Sequence, residues 1–191
     1  MKVLSLAVGL LLIAAIGSAH AERRVALVIG NADYKYAAAL ANPVHDADGM
    51  EAALNRLGFE VTVARNADRA GLERALRDFG RRLEGASVAL LFYAGHGVQL
   101  DGENWLVPVD ARVATERDMA FETVRLSLAL AQMEDGDRTS IVILDACREN
   151  PFRSRVAAGR AIGTQGGLAT VDAGLGTLIV YSTQPNAVAM D

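Results

Sequence analysis

The chain has 191 residues, 51% of them hydrophobic, 22% charged and 5% aromatic, with a formal charge of −4. That composition suits one globular domain whose core is mostly Ala, Leu and Val. Bases are interspersed with acids, with no basic block and no aromatic-basic interleaving, which argues against nucleic acid as a partner.

The first 21 residues stand apart from the rest. Lys2 is a short positive start, Val3 to Ile16 is apolar, and Ala19-His20-Ala21 is a small-x-small site, so a secretory signal peptide cut after Ala21 is expected. The apolar run is shorter than the ~20 residues a span needs, and the alternative is a retained anchor. No later run is long enough to cross a bilayer, so no stable membrane association is expected after cleavage. Losing Lys2 takes the formal charge from −4 to −5 and leaves residues 22–191 as one domain, secreted or periplasmic. Export matters for Cys147, the sole cysteine. In an oxidising compartment it is buried and inert, bridged between molecules, or a reactive thiol.

Arg24 to Gly30 reads as the first central strand, stopped by Gly30-Asn31. Ala32 to Asn42 lacks a period and reads as a long loop. Asn42 caps a helix with Pro43 at its first position. Val44, Ala47, Met50, Leu54 and Leu57 follow at three- and four-residue steps, and Gly58 ends it. Phe59 to Val63 alternates as a second strand. Asp68 caps the next helix, with Leu72, Leu76, Phe79 and Leu83 on one face and Gly85 after it. Val88 to Tyr93 is a buried strand. Between Gly97 and Pro108, Asp101-Gly102 predicts a hairpin turn. Phe121 to Met133 has helical spacing and leads into Thr139–Arg148, whose apolar run Ile141 to Asp145 reads as a strand buried on both faces. Glu149 to Gly176 has no strong period and is expected to be an exposed linker. Thr177 to Ser182 is the last strand. Strands alternating with helices predict an α/β fold with a mostly parallel central sheet and helices on both faces.

Chemistry collects at the carboxyl ends of strands in such sheets. The strand from Val88 ends in Ala94-Gly95-His96-Gly97, and the next central strand ends in Asp145-Ala146-Cys147-Arg148. Two strand ends thus offer an imidazole and a thiol, 51 residues apart in sequence, the makings of a nucleophile with its base. Gly95 and Gly97 let the backbone turn sharply and approach a substrate. Alternatively, Cys147 is a small buried hydrophobe. One cysteine and two histidines beyond residue 21 cannot build a usual zinc site, so no metal is expected. There is no phosphate-binding loop and no dinucleotide fingerprint.

Tyr93-Ala-Gly-His-Gly97 and Asp145-Ala-Cys-Arg148 resemble the His and Cys motifs of the caspase-like cysteine peptidases, in which the His lies about 50 residues before the Cys. The resemblance runs from about Arg24 onward and is greater to the bacterial metacaspases (orthocaspases) than to animal caspases. It implies a three-layer α/β/α sandwich with a p20-like part over about 22–150, the linker at about 149–176, and the start of a p10-like part at 177–191. Such folds usually continue with a further helix-and-strand section, so the resemblance makes this chain look either truncated or an incomplete variant. It assigns Cys147 as nucleophile, His96 as general base, and the N–H groups of Gly97 and Cys147 as the oxyanion hole. Leu40-Ala-Asn-Pro-Val-His-Asp46 matches the place where metacaspases carry an acid in the first specificity pocket, and Asp145 matches a second. Two carboxylates there would favour a substrate Arg or Lys and repel Asp. The alternatives are a solvated first-turn acid for Asp46 and a loop cap for Asp145. His45 reads as structural or supporting. Ser182, Thr183 and Gln184 follow the last strand and are expected to border the cleft, as are Asp33 and Tyr34. Arg148, Arg153, Arg155 and Arg160 are candidate self-cleavage sites or simply solvated charge. No cofactor is implied. Some metacaspases need calcium, but Asp110, Glu116 and Asp118 lack the spacing of an EF-hand loop. The expected partners are proteins or peptides with a basic residue before the cut. The rival readings are a catalytically silent interaction module and a regulatory thiol protein.

Overall fold

The structure is a computed structural model, and it describes residues 22–134, 137–147, 151–152, 168–171 and 174–182. The elements in chain order are β1 (Arg24–Gly30), α1 (Pro43–Arg56), β2 (Glu60–Arg65), α2 (Arg69–Arg82), β3 (Val88–Leu100) and β4 (Glu103–Leu106). A 3₁₀ turn (Glu116–Asp118) then leads to α3 (Met119–Glu122), β5 (Val124–Arg125), α4 (Leu126–Met133), β6 (Thr139–Cys147) and β7 (Thr177–Tyr181). Five strands run parallel in the order β2-β1-β3-β6-β7. The distal half of β3 also pairs antiparallel with β4, which pairs with β5. The fold is thus the expected α/β/α sandwich with a mostly parallel sheet.

Alternation along the strands builds two cores. Leu27, Leu91, Tyr93, Val142 and Leu144 face Leu72, Leu76, Phe79 and Leu83 of α2 and Ala129 and Met133 of α4. Val28, Phe92 and Ala94 share the opposite face with Ala47 and Leu54 of α1. A third cluster gathers Tyr34, Val98, Trp105, Val107 and Phe152.

Asp68 caps α2 as its sequence predicts: its backbone is extended and its Oδ1 accepts from Gly71 N at 2.7 Å. Replacing Asp68 with alanine orphans that N–H and is expected to cost about 1 kcal/mol. The measurement is a lowered denaturant midpoint at unchanged slope. Asn42 behaves differently. Its φ, ψ of −101°, −27° are already helical, so its side chain makes no cap and its carbonyl instead accepts from Asp46 N at 3.0 Å. Leu57, expected on the core face of α1, lies just beyond the helix and is 60% exposed.

Other departures have physical causes. β3 continues to Leu100 instead of stopping at Tyr93, because Ala94 to His96 stay paired with β6 and Gly97 to Leu100 pair with β4. The turn that joins β3 to β4 has positive φ at both Asp101 (52°) and Gly102 (79°), the hairpin geometry that residue pair favours. The helical pattern from Phe121 to Met133 breaks at Thr123, which is extended at φ −126°, ψ 174°. Val124 and Arg125 then join the sheet beside Leu106 and Trp105, which leaves Phe121 exposed. In the segment expected to be an exposed linker, the described Phe152, Leu168 and Ala169 are buried. Asn104 holds Ala169 by two bonds, its Nδ2 donating to the carbonyl at 2.9 Å and its Oδ1 accepting from the N–H at 2.7 Å.

Candidate active site

Strands β1 and β6 end beside the part of β3 where its pairing passes from β6 to β4, and the register there sets the site. Ala94 pairs with Asp145, Gly95 with Ala146, and His96 with Cys147. The imidazole-bearing and thiol-bearing residues, far apart in sequence, are therefore neighbours across one step of the sheet, about 4.8 Å in a typical ladder. The backbone of Cys147 closes β6; its side chain lies outside the described part of the structure.

His96 is buried, at 4% exposure. Its Nε2 lies 2.8 Å from the Ala38 carbonyl oxygen. A carbonyl can only accept, so Nε2 carries the proton and Nδ1 keeps the lone pair. Nδ1 is buried and has no hydrogen-bond partner among the described residues. Burial pushes the imidazole below its ordinary pKa, with the Ala38 bond opposing it. Desolvation thus favours the neutral ring, a proton acceptor at neutral pH.

The main chain around His96 is held as firmly as the ring. The Tyr34 hydroxyl accepts from His96 N at 2.8 Å, and the Tyr93 hydroxyl donates to the His96 carbonyl at 2.6 Å. Val107 N also donates to that carbonyl, at 3.1 Å. Asn31, fully buried, ties three segments together. Its N–H donates to Ala94 O, its Oδ1 accepts from Ala67 N at 2.9 Å, and its Nδ2 donates to Val107 O at 3.1 Å.

The two proposed pocket acids come from different elements. Asp46 is exposed on the first turn of α1. That turn sits over the end of β1: a Cβ added to Gly30 would lie 2.4 Å from Pro43 O. Asp145 is half-buried and pairs with Ala94, a member of the cluster on the α1 side. Both acids therefore occupy the same face and end of the sheet. His45 is exposed beside Asp46. Ser182 is exposed, and its N–H donates to Leu144 O at 3.1 Å. Thr183, Gln184, Arg148, Arg153, Arg155 and Arg160 lie outside the described residues. Asp33 is held by Asn66, whose Nδ2 donates to it at 2.6 Å. Tyr34, expected as a groove wall, turns out to be buried against His96, ring centroids 4.4 Å apart.

Among the described residues, no group of three or more His, Cys, Asp or Glu could hold a metal ion. Asp110 accepts from Arg69 N at 2.9 Å, and Asp118 accepts from Thr115 N and Ala114 N, which lowers its pKa. No helix among the described residues is long and apolar enough to cross a membrane. Three supports of the site escape sequence reasoning. Ala38 acts through a backbone carbonyl, which has no side-chain signature. Tyr93 sits within an apolar strand and reads as core. Asn31 reads as a simple strand stop.

A parallel sheet between helices, with a histidine within one central strand in register with a cysteine at the end of the next, defines an α/β/α sandwich of the caspase-like class. Residues 23–191 match the family model described as the caspase domain, and the chain belongs to that peptidase family. It is 29% identical over 129 residues to the human mucosa-associated lymphoid tissue lymphoma translocation protein 1, covering 68% of this chain and 15% of that protein. It is 30% identical over 137 residues to caspase-1 of Canis lupus familiaris, covering 67% of this chain and 32% of that one. The Drosophila initiator caspase Dronc shares the fold at a TM-score of 0.58 and 12% identity, over 86% of this chain and 56% of Dronc. The chain thus spans about a third or less of the curated relatives it matches.

Proposed function

We propose that this protein is a cysteine endopeptidase that cuts after Arg or Lys, with Cys147 as nucleophile and His96 as base. The observation that carries the reading is the state of His96: buried, protonated on Nε2 by its bond to Ala38, without a hydrogen-bond partner at Nδ1 among the described residues, and in register with Cys147. In the proposed reaction Nδ1 takes the Cys147 thiol proton as the sulfur attacks the scissile carbonyl carbon. The backbone N–H groups of Gly97 and Cys147 are the donors proposed for the resulting oxyanion. Nδ1 then gives its proton to the leaving amine as the C–N bond breaks, leaving a thioester. Water attacks that thioester, His96 takes a proton from it and returns one to sulfur, and the carboxylate product departs. Every proton is carried by His96, so the scheme calls for no cofactor.

Asp46 and Asp145 are proposed as the pair that binds the substrate guanidinium or ammonium, supported by their common face and end of the sheet. The secreted or periplasmic location rests on the sequence of residues 1–21 alone. The test is hydrolysis of two fluorogenic peptides, one with Arg and one with Asp before the cut, by the protein and by Cys147→Ala. Cleavage of the Arg peptide alone, abolished in the variant, is the expected result. Cleavage of the Asp peptide instead would overturn the pocket assignment and keep the Cys–His pair. If neither is cut by folded protein, the endopeptidase reading falls and the interaction module takes its place.

A further inference from the structure

A base is useful only if its ring is held in place, and a histidine side chain has two rotatable bonds. The loop between β1 and α1 holds His96 at three points, two on the ring and one on the main chain. The Ala38 carbonyl takes Nε2–H at 2.8 Å. The Tyr34 ring lies against the imidazole, centroids 4.4 Å apart and planes tilted by 49°. The Tyr34 hydroxyl accepts the His96 main-chain N–H at 2.8 Å. The loop is itself anchored, because Leu40 N donates to Ala32 O at 3.1 Å and Lys35 N to Val109 O at 2.8 Å.

We propose that Tyr34 is a positioning residue for His96, its hydroxyl fixing the main chain and its ring fixing the imidazole that Ala38 then orients. This rests on the reading of His96 as the base and adds a residue to it. The ring of Tyr34 is also part of a core cluster with Val98, Val107 and Phe152, so burial alone accounts for an aromatic there. Burial does not account for the hydroxyl. A phenylalanine would fill the same space, yet the oxygen is aimed at the one N–H that immediately precedes the His96 side chain. The preceding residue agrees with this. Gly95 has φ +152°, and a Cβ there would stand 2.7 Å from the Tyr34 hydroxyl, so glycine is what admits the hydroxyl to the His96 N–H.

Tyr34→Phe separates the two roles, since it keeps the ring and its packing and deletes only the oxygen. The full protein, Tyr34→Phe and Cys147→Ala would be compared on the Arg peptide and by ¹⁵N spectra of the imidazoles, with the His96 signals assigned through His96→Gln. The expected result is a kcat lowered roughly ten- to a hundredfold with KM unchanged within about twofold, as misplacement of a reacting group produces. The wild-type His96 ring should show one tautomer, protonated on Nε2, and the variant a mixture of both. An unchanged kcat, or a lowered kcat with the His96 signals unaltered, would overturn the proposal. If the wild-type protein cuts no peptide, the peptidase reading fails on its own, and the tautomer spectra still decide whether Tyr34 positions His96.

Discussion

Replacing His96 with alanine is expected to lower kcat/KM on the Arg peptide by roughly a thousandfold or more, the scale of losing a general base from a unit in which base and nucleophile act together. The pH profile identifies the cause. Burial holds the His96 pKa below its ordinary value of 6.5, with the Ala38 hydrogen bond opposing the shift. The base works only when neutral, so in the wild-type protein kcat/KM should rise with pH through a midpoint below 6.5. The same depression has a consequence for stability, and its sign follows from proton counting. Between the lowered folded pKa and the unfolded value, the unfolded chain binds the proton and the folded chain does not, so folding weakens as pH falls through that window. Above the unfolded value neither state binds it and stability is unaffected. His96→Ala should therefore lose both the acid limb of the residual activity and this part of the acid destabilisation. An acid limb centred at or above 6.5, or one that survives in the variant, would remove His96 from the role of base.

Much of the scaffold was legible in local pattern. The face of α2 is a period of apolar residues followed by a glycine with room for positive φ, and Leu72, Leu76, Phe79 and Leu83 are all buried there. Asp68 and the Asp101-Gly102 turn are local chemistry, decided within four residues of chain. What local pattern could not show is competition between partners. Phe121 to Met133 has helical spacing, yet β4 offers Val124 and Arg125 a ladder, and a Thr-Val step that is stiff at χ1 accepts it. Phe152 and Leu168 sit in a stretch too irregular to predict, but each is large and apolar enough to be drawn into a cluster. The site divides in the same way. His96 and Cys147, the proposed pair, stand out because few residue types can serve as base and nucleophile. Their supports do not: the Ala38 carbonyl belongs to a residue with no functional group, and the Tyr93 hydroxyl is hidden in an apolar run.

Gly95→Ala is expected to damage stability and cleavage together. At φ +152° an L residue is strained before any contact is counted, at a cost of about 1–3 kcal/mol. The new Cβ would also meet the Tyr34 hydroxyl at 2.7 Å, the Tyr93 hydroxyl at 3.0 Å and the Asn31 carbonyl at 3.2 Å. None of these can yield cheaply. Tyr34 holds the His96 N–H, Tyr93 holds the His96 carbonyl, and Asn31 N is tied to Ala94 O. Overpacking of this kind adds roughly 1–3 kcal/mol, for a total loss of about 2–6 kcal/mol. In a domain of this size that lowers the melting temperature by about 4–24 °C. Gly85→Ala is the control, since Gly85 also has positive φ (71°) but a Cβ there meets nothing within 4 Å. It should pay only the backbone strain and leave peptide cleavage intact, whereas Gly95→Ala should lose cleavage even at temperatures where it is folded. The methyl at residue 95 can be accommodated only by moving a hydroxyl that holds His96, so stability and activity must fall together. Equal melting temperatures for the two variants, or full activity in Gly95→Ala, would mean that the two tyrosine hydroxyls do not set the position of the histidine.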